Sequence, residues 1–495
     1  MKQYILGIDQ GTTSSRAVVF DLHGRLISIG KKKIKQFYPE PGWVEEDARE
    51  LWTSVLAAVH QAVKKAGIAF SELAAVGLAN QRDTLLFWDP CTGEPLTPAM
   101  VWQDCRTMSL GEAMPADLRR HFAEVSGMPM ISNAAVLKIK WFWANSAQLR
   151  RQAAAGRAIC GTVDSWLLWH LSGGKLHITD FSNASVTGLL DRSRRTYAAE
   201  ILEYFSFPAS VLPDLRLSSD VYGFVDATLF GGQVPVSGCL GDQSASLLGQ
   251  GCTQAGMAKN TYGTGSFLVL NTGRNYCPPA AGLLAPIAWA LPQGDCQAME
   301  GIADVSGASI QWLQEKLDIL PNPDQAARMA ATVPDTDGVH FVPAFTGLGS
   351  PYLDSRARGT ICGITAHTRA EHLVRAALEA MAFQTRDCLL AMERSAAQHL
   401  SRLRVDGGGA ANDFLLQFQA DILGIPVERP AFVEATARGA AYMAGLSVGV
   451  WDTVEEVASL WQPQQRFLPR MGQAERLARC EAWSHAVAAA RNWLS

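Results

Sequence analysis

The segment YILGIDQGTTSSRAVVF, residues 4–20, decides the fold that the sequence predicts. Residues 4–9 and 16–20 are apolar and rich in residues that favour strands. Between them, Gly11 permits a tight turn, and the hydroxyl residues that follow are typical of turns. The segment therefore predicts a β-hairpin with a polar turn near the start of the chain.

The same pattern recurs at residues 257–270, MAKNTYGTGSFLVL, with Gly263-Thr264-Gly265-Ser266 as its turn. Each half of the chain also contains an apolar strand followed by polar or glycine-rich residues, at 74–82 and at 403–408. Because the unit appears twice, about half the chain apart, the sequence indicates an internal duplication at the scale of a domain.

Amphipathic helices are predicted between these strands. Residues 47–66 carry apolar side chains at helical spacing, with Asp47 as N-cap, Glu50 as its capping-box partner and Gly67 after the last turn. The other long predicted helices are residues 372–397, residues 413–423 behind the N-cap Asn412, and about the last 30 residues, which end at Trp493-Leu494.

The chain of 495 residues is too long for one hydrophobic core, since single cores stop growing near about 250–300 residues. Mixed strands and amphipathic helices favour α/β architecture. We therefore expect two α/β domains, residues 1–249 and 250–495, with no low-complexity linker between them.

Composition excludes several classes of protein. A net charge of −4 makes nucleic acid and anionic membranes unexpected partners. No apolar run approaches the roughly 18–20 residues that span a bilayer, and the N-terminus lacks the pattern of a signal peptide. The ten cysteines are scattered singly, which predicts reduced thiols in a cytoplasmic enzyme.

The turn of the first hairpin is a candidate phosphate site. Hydroxyls and backbone N–H groups of Thr12, Thr13 and Ser14 suit phosphate oxygens, and Arg16 can neutralise phosphate charge. Asp9 at the strand end suits Mg²⁺ held through water. The alternative is a simple polar hairpin turn, but the second copy favours two phosphate-holding turns. The motif G-x-x-x-x-G-K-[ST] is absent from the sequence, which disfavours a P-loop enzyme.

Asp242 is the candidate general base. It follows an apolar strand at residues 234–236 and lies among small residues, where a carboxylate can meet a substrate hydroxyl. The alternative is a structural turn or helix cap.

Two further segments, residues 80–83 and 101–104, supply polar side chains and Trp102 for a polyol pocket, although Trp102 alone is compatible with core packing. The glycine-rich loop at residues 405–412 suits backbone approach to a phosphate or a flat ring, or is a simple strand-to-helix connection.

A series of motifs along nearly the whole chain resembles those of the FGGY carbohydrate kinases, and among these enzymes the glycerol kinases most closely. The motifs are residues 9–16, 41–45, 80–82, 101–104, 161–167, 179–180, 183–185, 241–243, 256–265, 342–349 and 404–408.

The resemblance implies two ribonuclease-H-like, actin-like ATPase domains that flank a cleft, and ATP-dependent phosphorylation of a small polyol with Mg²⁺. It also implies roles for individual residues. Those that match phosphate and nucleotide contacts of the family are Thr12, Thr13, Ser14, Arg16, Thr264, Gly307, Gln311, Gly408 and Asn412. Those that match the polyol pocket are Arg82, Trp102, Asp242, Gln243 and Phe267, with Asp242 as base.

Two positions depart from the pattern of glycerol kinases. Asp83 stands where these enzymes usually have glutamate, and Asn133 begins a segment where they usually have tyrosine. In glycerol kinases the usual glutamate and tyrosine meet glycerol hydroxyls, whereas Asp83 and Asn133 have shorter side chains. The departures therefore predict an enlarged pocket that holds glycerol less well.

The overall resemblance makes glycerol phosphorylation the leading expectation, and the two departures make a four- or five-carbon polyol or ketose such as erythritol, erythrulose or xylulose the alternative. A non-catalytic actin-like ATP-binding sensor is a third hypothesis, which Asp242 argues against. Family members often form dimers or tetramers, but no motif here decides the oligomeric state.

Overall fold

A computed structural model describes residues 2–280, 282–432, 434–491 and 493–494. The chain forms two compact units whose segments interleave along the sequence. The first unit consists of Met1–Thr253, Pro286–Gln297 and Glu434–Leu460, and the second of Gln254–Ala285, Ala298–Val433 and Trp461–Ser495. Both units combine sheets with helices, which confirms the predicted α/β class.

A mixed sheet of six strands organises the first unit. In spatial order the strands are Leu26–Lys33, Ser14–Asp21, Tyr4–Gln10, Leu73–Asn80, Pro235–Gly241 and Ser219–Phe224. The predicted hairpin pairs Tyr4–Gln10 with Ser14–Asp21 in antiparallel orientation. Tyr4–Gln10, Leu73–Asn80 and Pro235–Gly241 run parallel, and their last residues Gln10, Asn80 and Gly241 lie in one row.

Smaller sheets and short helices complete the first unit. A five-stranded sheet has the order Gln36–Phe37, Glu45–Glu46, Ala99–Met100, Leu85–Trp88 and Ile159–Thr162. The strand pairs are Ile178–Asp180 with Asp214–Arg216, Leu190–Asp191 with Thr196–Tyr197, and Ile287–Leu291 with the start of Gly294–Ala303. The α-helices are Ala48–Ala66, Met108–Glu112, Ala116–Ser126, Ala135–Asn145, Ala147–Ala154, Val163–Leu171, Phe181–Ala184, Ala199–Phe205, Ala227–Phe230, Asp242–Gly249, Ala435–Ser447 and Val454–Ser459.

The second unit repeats the strand order of the first. Its strands are, in spatial order, Gly294–Ala303, Ser266–Gly273, Met257–Tyr262, Arg402–Asp406, Val427–Pro430 and Pro463–Phe467. Again a hairpin is followed by two parallel strands and an antiparallel edge strand. This shared strand order agrees with the internal duplication that the two Gly-Thr turns predicted.

Among its described residues, the second unit also contains one strand pair, five α-helices and the 3₁₀ helices Pro323–Gln325 and Gly408–Ala411. The strand pair is His340–Val342 with Thr360–Cys362. The α-helices are Gly307–Glu315, Ala326–Ala330, Ala370–Ala396, Asp413–Leu423 and Gln473–Ala490. Among the described residues, no helix has both the length and the apolar character that crossing a bilayer requires.

Some helix ends follow the predictions, whereas the long helix runs from Ala370 to Ala396 rather than over residues 372–397 and the last helix begins only at Gln473. Asp47 caps Ala48–Ala66 and Gly67 ends it in the left-handed conformation, while Asn412 caps Asp413–Leu423. The capping-box role predicted for Glu50 is wrong, because its carboxylate accepts a hydrogen bond from the Lys35 backbone instead. The last helix ends at Ala490 rather than at Trp493-Leu494, because the backbone turns extended at residue 491.

Helix Ala435–Ser447 lies directly on the first sheet because three glycines form a row across its parallel strands. Gly7, Gly77 and Gly238 are neighbours in the strand register. A Cβ atom at Gly77 would lie 1.9 Å from the Ala440 carbonyl oxygen, and one at Gly7 would lie 2.0 Å from that of Ala437. The glycine row therefore permits a close approach that any side chain would block.

Replacing the central glycine tests this packing. We expect Gly77→Ala to lower the free energy of unfolding by at least about 2 kcal/mol, because the methyl group overlaps helix backbone that cannot move independently. Gly232→Ala is the matched control, since no described atom lies within 4 Å of a Cβ placed there. Chemical denaturation of both variants measures the difference, and equal stabilities would contradict the packing argument.

Candidate active site

The row of strand ends places three loops side by side in the first unit. Gln10, Asn80 and Gly241 are register neighbours, so the residues that follow each of them emerge at the same edge of the sheet. These are the turn that begins at Gly11, the loop that contains Arg82, and the start of helix Asp242–Gly249. Carboxyl ends of parallel strands are the usual place for ligand sites in α/β sheets.

Arg82 and Asp242 form an ion pair at this edge. The Arg82 Nε donates to Asp242 Oδ1 over 3.2 Å, and the two side chains are 11% and 29% exposed. Gly241 makes room for the arginine, because a Cβ there would lie 2.4 Å from Arg82 Cδ. The same Asp242 oxygen accepts from the Gln243 backbone at 2.7 Å. The carboxylate is therefore oriented from two sides while remaining accessible.

The first hairpin turn contacts the candidate pocket wall. Its turn closes when Gly11 N donates to the Ser14 carbonyl at 3.1 Å, which leaves Thr13 exposed and Ser14 buried in the strand. Trp102 Nε1 donates to Thr12 Oγ1 at 2.9 Å. A predicted phosphate contact and a predicted polyol contact thus meet directly.

Arg16 lies between two carboxylates. Its guanidinium nitrogen is 3.7 Å from Asp9 Oδ2 and 3.4 Å from Glu434 Oε2. Asp9 is almost buried at the strand end, and Glu434 immediately precedes helix Ala435–Ser447. Carboxylate oxygens beside the first hairpin turn fit a hydrated Mg²⁺, because this ion favours carboxylates and retains water ligands.

A chain of hydrogen bonds runs behind Trp102 to Glu46. The Trp102 backbone N–H donates to Thr84 Oγ1 at 3.2 Å, and that hydroxyl donates to Gln81 Oε1 at 2.8 Å. Gln81 Nε2 in turn donates to Glu46 Oε2 at 2.7 Å and to Gln10 Oε1 at 3.2 Å. Burial raises the pKa of Glu46 to about 8, so the carboxyl group is largely protonated at neutral pH.

Of the two positions that depart from the glycerol kinase pattern, Asp83 contacts a buried lysine. Asp83 has a φ of 63°, and its backbone carbonyl accepts from Lys138 Nζ. Burial lowers the pKa of Lys138 to about 8, against the favourable charge of Asp83. Asn133 is half-buried ahead of helix Ala135–Asn145, which carries Lys138. The roles of Asp83 and Asn133 as substrate contacts stay predictions.

In the second unit, three predicted nucleotide contacts surround the Tyr262-Gly263 backbone. Gly307 N donates to the Gly263 carbonyl at 3.0 Å, and Ala308 N to the Thr264 carbonyl at 3.1 Å. Gly407, with a φ of 82°, approaches so closely that a Cβ would lie 2.3 Å from the Tyr262 oxygen, and Gly408 follows it. The Gly-Thr turn, the start of helix Gly307–Glu315 and the glycine loop therefore converge.

The other predicted residues of the second unit lie further along these elements. Asn412 ends the glycine loop and caps the next helix by accepting from Leu415 N at 2.9 Å. Gln311 is exposed and donates to Glu315 Oε1 at 2.6 Å. Phe267 pairs with Thr261 in the second hairpin and is half-buried.

Sequence reasoning assigned no role to several residues that the structure places at the site. Glu46, Thr84 and Glu434 contact residues of the predicted site segments but lie outside the motifs of the resemblance. Lys138 ends the segment that begins at Asn133, but no role was predicted for it. Asp180 lies in residues 179–180, one of the motifs shared with the family, but the position of that motif in the sequence does not predict its hydrogen-bonded links to the strand ends.

Comparison with known proteins gives this geometry its context. A model of the FGGY family of carbohydrate kinases, N-terminal domain, matches residues 4–249, and the C-terminal domain model matches residues 258–448. The chain belongs to the FGGY family of carbohydrate kinases. The family resemblance predicted from the motifs is thereby confirmed, and so is the kinase class.

Curated relatives of this FGGY kinase are similar over their full length. The glycerol kinase of Deinococcus radiodurans is 46% identical over 491 residues, which is 99% of this chain and 98% of the relative. Glycerol kinase 2 of Thermotoga maritima is 46% identical over 492 residues, 99% of each chain.

Solved structures agree with the fold. The Plasmodium falciparum glycerol kinase, crystallised with ADP, has a TM-score of 0.93 at 31% identity and covers 98% of both chains. A xylulose kinase from Rhodospirillum rubrum has a TM-score of 0.86 at 23% identity, over 98% of this chain and 99% of that one, which shows the fold alone.

The raised pKa of Glu46 predicts a pH-dependent stability. The folded protein keeps this proton up to about pH 8, whereas an unfolded glutamate releases it near 4.5. Between these pH values the folded state binds more protons than the unfolded state. The contribution of Glu46 to the free energy of unfolding is therefore complete below pH 4.5 and is lost as pH rises through about 8, at up to about 1.4 kcal/mol per pH unit.

Glu46→Gln should therefore flatten the stability profile, because an amide can accept from Gln81 but cannot titrate. We expect a smaller fall in melting temperature between pH 6 and pH 8 than in the wild type, measured by circular dichroism. Glu124→Gln, at an exposed position, is the control. An unchanged slope in Glu46→Gln would contradict the burial argument.

Proposed function

We propose that this chain catalyses ATP-dependent phosphorylation of glycerol at a terminal hydroxyl, which yields glycerol 3-phosphate and ADP. The observation that supports this most is the Arg82–Asp242 ion pair beside the hydroxyl-rich turn, in a member of the FGGY carbohydrate kinases. Relatives that are 46% identical over nearly the whole chain are named glycerol kinase.

Asp242 would act as the general base. The substrate hydroxyl oxygen attacks the γ-phosphorus while the bond from that phosphorus to the bridging oxygen of ADP breaks. The hydroxyl proton passes to the Asp242 carboxylate, which Arg82 and the Gln243 backbone hold in one orientation. Trp102 would form an apolar wall, with its indole fixed by Thr12.

Candidate phosphate contacts lie within each unit. In the first unit these are the turn residues Thr12, Thr13 and Ser14 together with Arg16. In the second unit they are Thr264, Gly307 and Gly408, whose backbones converge around Tyr262, with Gln311 and Asn412 at the adjoining helices. The roles of Gln243, Phe267, Asp83 and Asn133 as polyol contacts belong to the same proposal.

Mg²⁺ would neutralise negative charge on the phosphates when bound. Asp9 is the residue that would hold it through water, because its carboxylate lies beside Arg16 at the end of the strand that leads into the turn. Glu434, on the other side of Arg16, would add a second carboxylate to the hydration shell.

A reducing, cytoplasmic location suits this proposal. Cys160, Cys239 and Cys388 are buried thiols rather than disulfides, and burial raises the pKa of each, which keeps them unreactive. The small-molecule substrate requires no nucleic acid or membrane partner. Assembly into a homodimer or homotetramer stays a prediction, which light scattering would test.

Substitution of the base tests the mechanism. We expect Asp242→Asn to lower kcat with glycerol by about a thousandfold, because the amide cannot accept the hydroxyl proton, and to leave ATP affinity nearly unchanged. Coupled detection of ADP and a titration with ATP measure the two quantities. Comparable turnover in the variant would refute the assignment of Asp242 as base.

A substrate screen separates glycerol from the alternative of a four- or five-carbon polyol or ketose. Asp83 and Asn133 favour that alternative, since both are shorter than the residues usual in glycerol kinases. We expect the highest kcat/KM for glycerol when it is compared with erythritol, dihydroxyacetone, erythrulose and xylulose. A higher kcat/KM for a longer substrate would establish the enlarged pocket instead.

The same assay addresses the third hypothesis, a non-catalytic ATP-binding sensor. An enzyme releases ADP in proportion to added polyol, whereas a sensor binds ATP without a polyol-dependent increase in ADP. ADP release that is independent of every polyol tested would reject the kinase function.

A further inference from the structure

Asp180 accepts an unusual number of hydrogen bonds for one carboxylate. It is 1% exposed, ends strand Ile178–Asp180 and caps helix Phe181–Ala184. Its Oδ1 accepts from Asn183 N at 3.0 Å, Asn183 Nδ2 at 2.9 Å and Ser182 Oγ at 2.9 Å. Its Oδ2 accepts from Ser182 N at 3.0 Å and Ser218 Oγ at 2.7 Å.

The direction of these bonds is determined by the donors beyond them. Gly241 N donates to Ser182 Oγ at 2.9 Å, and Ala290 N donates to Ser218 Oγ at 3.0 Å. Each serine hydroxyl therefore turns its single proton towards Asp180. Since the hydrogen-bond partners named above all donate, a carboxylate satisfies them, and an amide would set its own N–H groups against other donors.

Two routes lead from Asp180 to the ends of the central strands. Through Ser182 it reaches the backbone N–H of Gly241, the residue directly before Asp242. Through Asn183 it reaches Asn80, because the two amides donate to each other at 3.0 and 3.1 Å. Asn80 also donates to the Gln81 carbonyl at 2.9 Å, and Arg82 follows.

We infer that Asp180 is a positioning residue for phosphoryl transfer, which holds the Arg82–Asp242 pair in its reactive geometry. This inference rests on the proposed function of that pair. Asp180 touches neither partner directly, but it is linked to the two strand ends that precede them through one intermediate residue on each side, Ser182 and Asn183. A general base misplaced by a fraction of an ångström loses much of its effect, which gives the network its catalytic consequence.

The neighbours of Asp180 are consistent with a rigid hydrogen-bonded centre. Ligand-type atoms of Asp164, Asp180 and Cys239 lie within 4.8 Å of one another and all three residues are buried. The Asp164 carboxylate accepts from the hydroxyls of Thr162 and Thr179, so its oxygens are already engaged. Burial raises the pKa of Asp164 to about 6, and the charge of Asp180 adds to this rise.

Two substitutions of different severity test the inference. Asp180→Asn replaces an accepting carboxylate oxygen with a donating amide group. Ser182→Ala removes the hydroxyl group through which Asp180 is linked to Gly241. Asp226→Asn is the matched control, because Asp226 caps the equally short helix Ala227–Phe230 in the same unit through the Thr228 backbone. Melting temperatures are measured first, and all kinetics are run well below the lowest of them.

The expected result is a selective loss of turnover. Asp180→Asn should lower kcat with glycerol by about 100-fold and Ser182→Ala by about 10-fold, while KM for ATP changes by less than about twofold. A merely structural cap would lower the melting temperature without changing kcat of the folded enzyme, as expected for Asp226→Asn. Should Asp180→Asn fail to fold, Ser182→Ala alone decides.

Turnover of Ser182→Ala and of folded Asp180→Asn equal to that of Asp226→Asn would overturn the inference. This failure is distinct from failure of the proposed function. If the proposed function is wrong, the wild-type protein itself shows no glycerol-dependent release of ADP.

Discussion

The site depends on one constraint, which is the common register of three parallel strands in the first unit. Gly7, Gly77 and Gly238 form one row across these strands, and Gln10, Asn80 and Gly241 form another at their carboxyl ends. The glycine row permits helix Ala435–Ser447 to lie against the sheet backbone. The hydrogen-bonded register aligns the strand ends, so the three loops that carry polar side chains emerge next to each other.

Polar networks then convert alignment into a defined arrangement of side chains. On one side, Asp180 connects the ends that precede Arg82 and Asp242 through serine and asparagine intermediates. On the other side, a protonated Glu46 orients Gln81, and the chain continues to the indole of Trp102. Both networks are buried, so each hydrogen bond acts in a medium of low dielectric constant where misplacement is costly. The proposed chemistry takes place at their exposed ends.

Much of this fold was predictable because its signals are local. The hairpins, the helix Asp413–Leu423 with its cap Asn412 and the duplication all follow from periodicity and turn chemistry within short windows. Arg82 and Asp242 were both predicted as pocket residues, and the structure brings their side chains into contact. Predictions failed where a distant partner competed with a local one. Glu50 contacts the Lys35 backbone rather than its own helix start, and the last helix stops at Ala490 although its apolar pattern continues.

The sequence by itself determined the main element types, the two Gly-Thr turns and the kinase family, and it named candidate residues for phosphate contact and proton transfer, because these depend on residue chemistry and short spacings. Only the tertiary structure decided that Glu434 meets Arg16 across 418 positions of sequence, that residues 434–460 belong to the first unit, and that Asp180 links the strand ends. Such contacts form when sheet packing brings remote segments together, and no local pattern of side chains records which segments will meet.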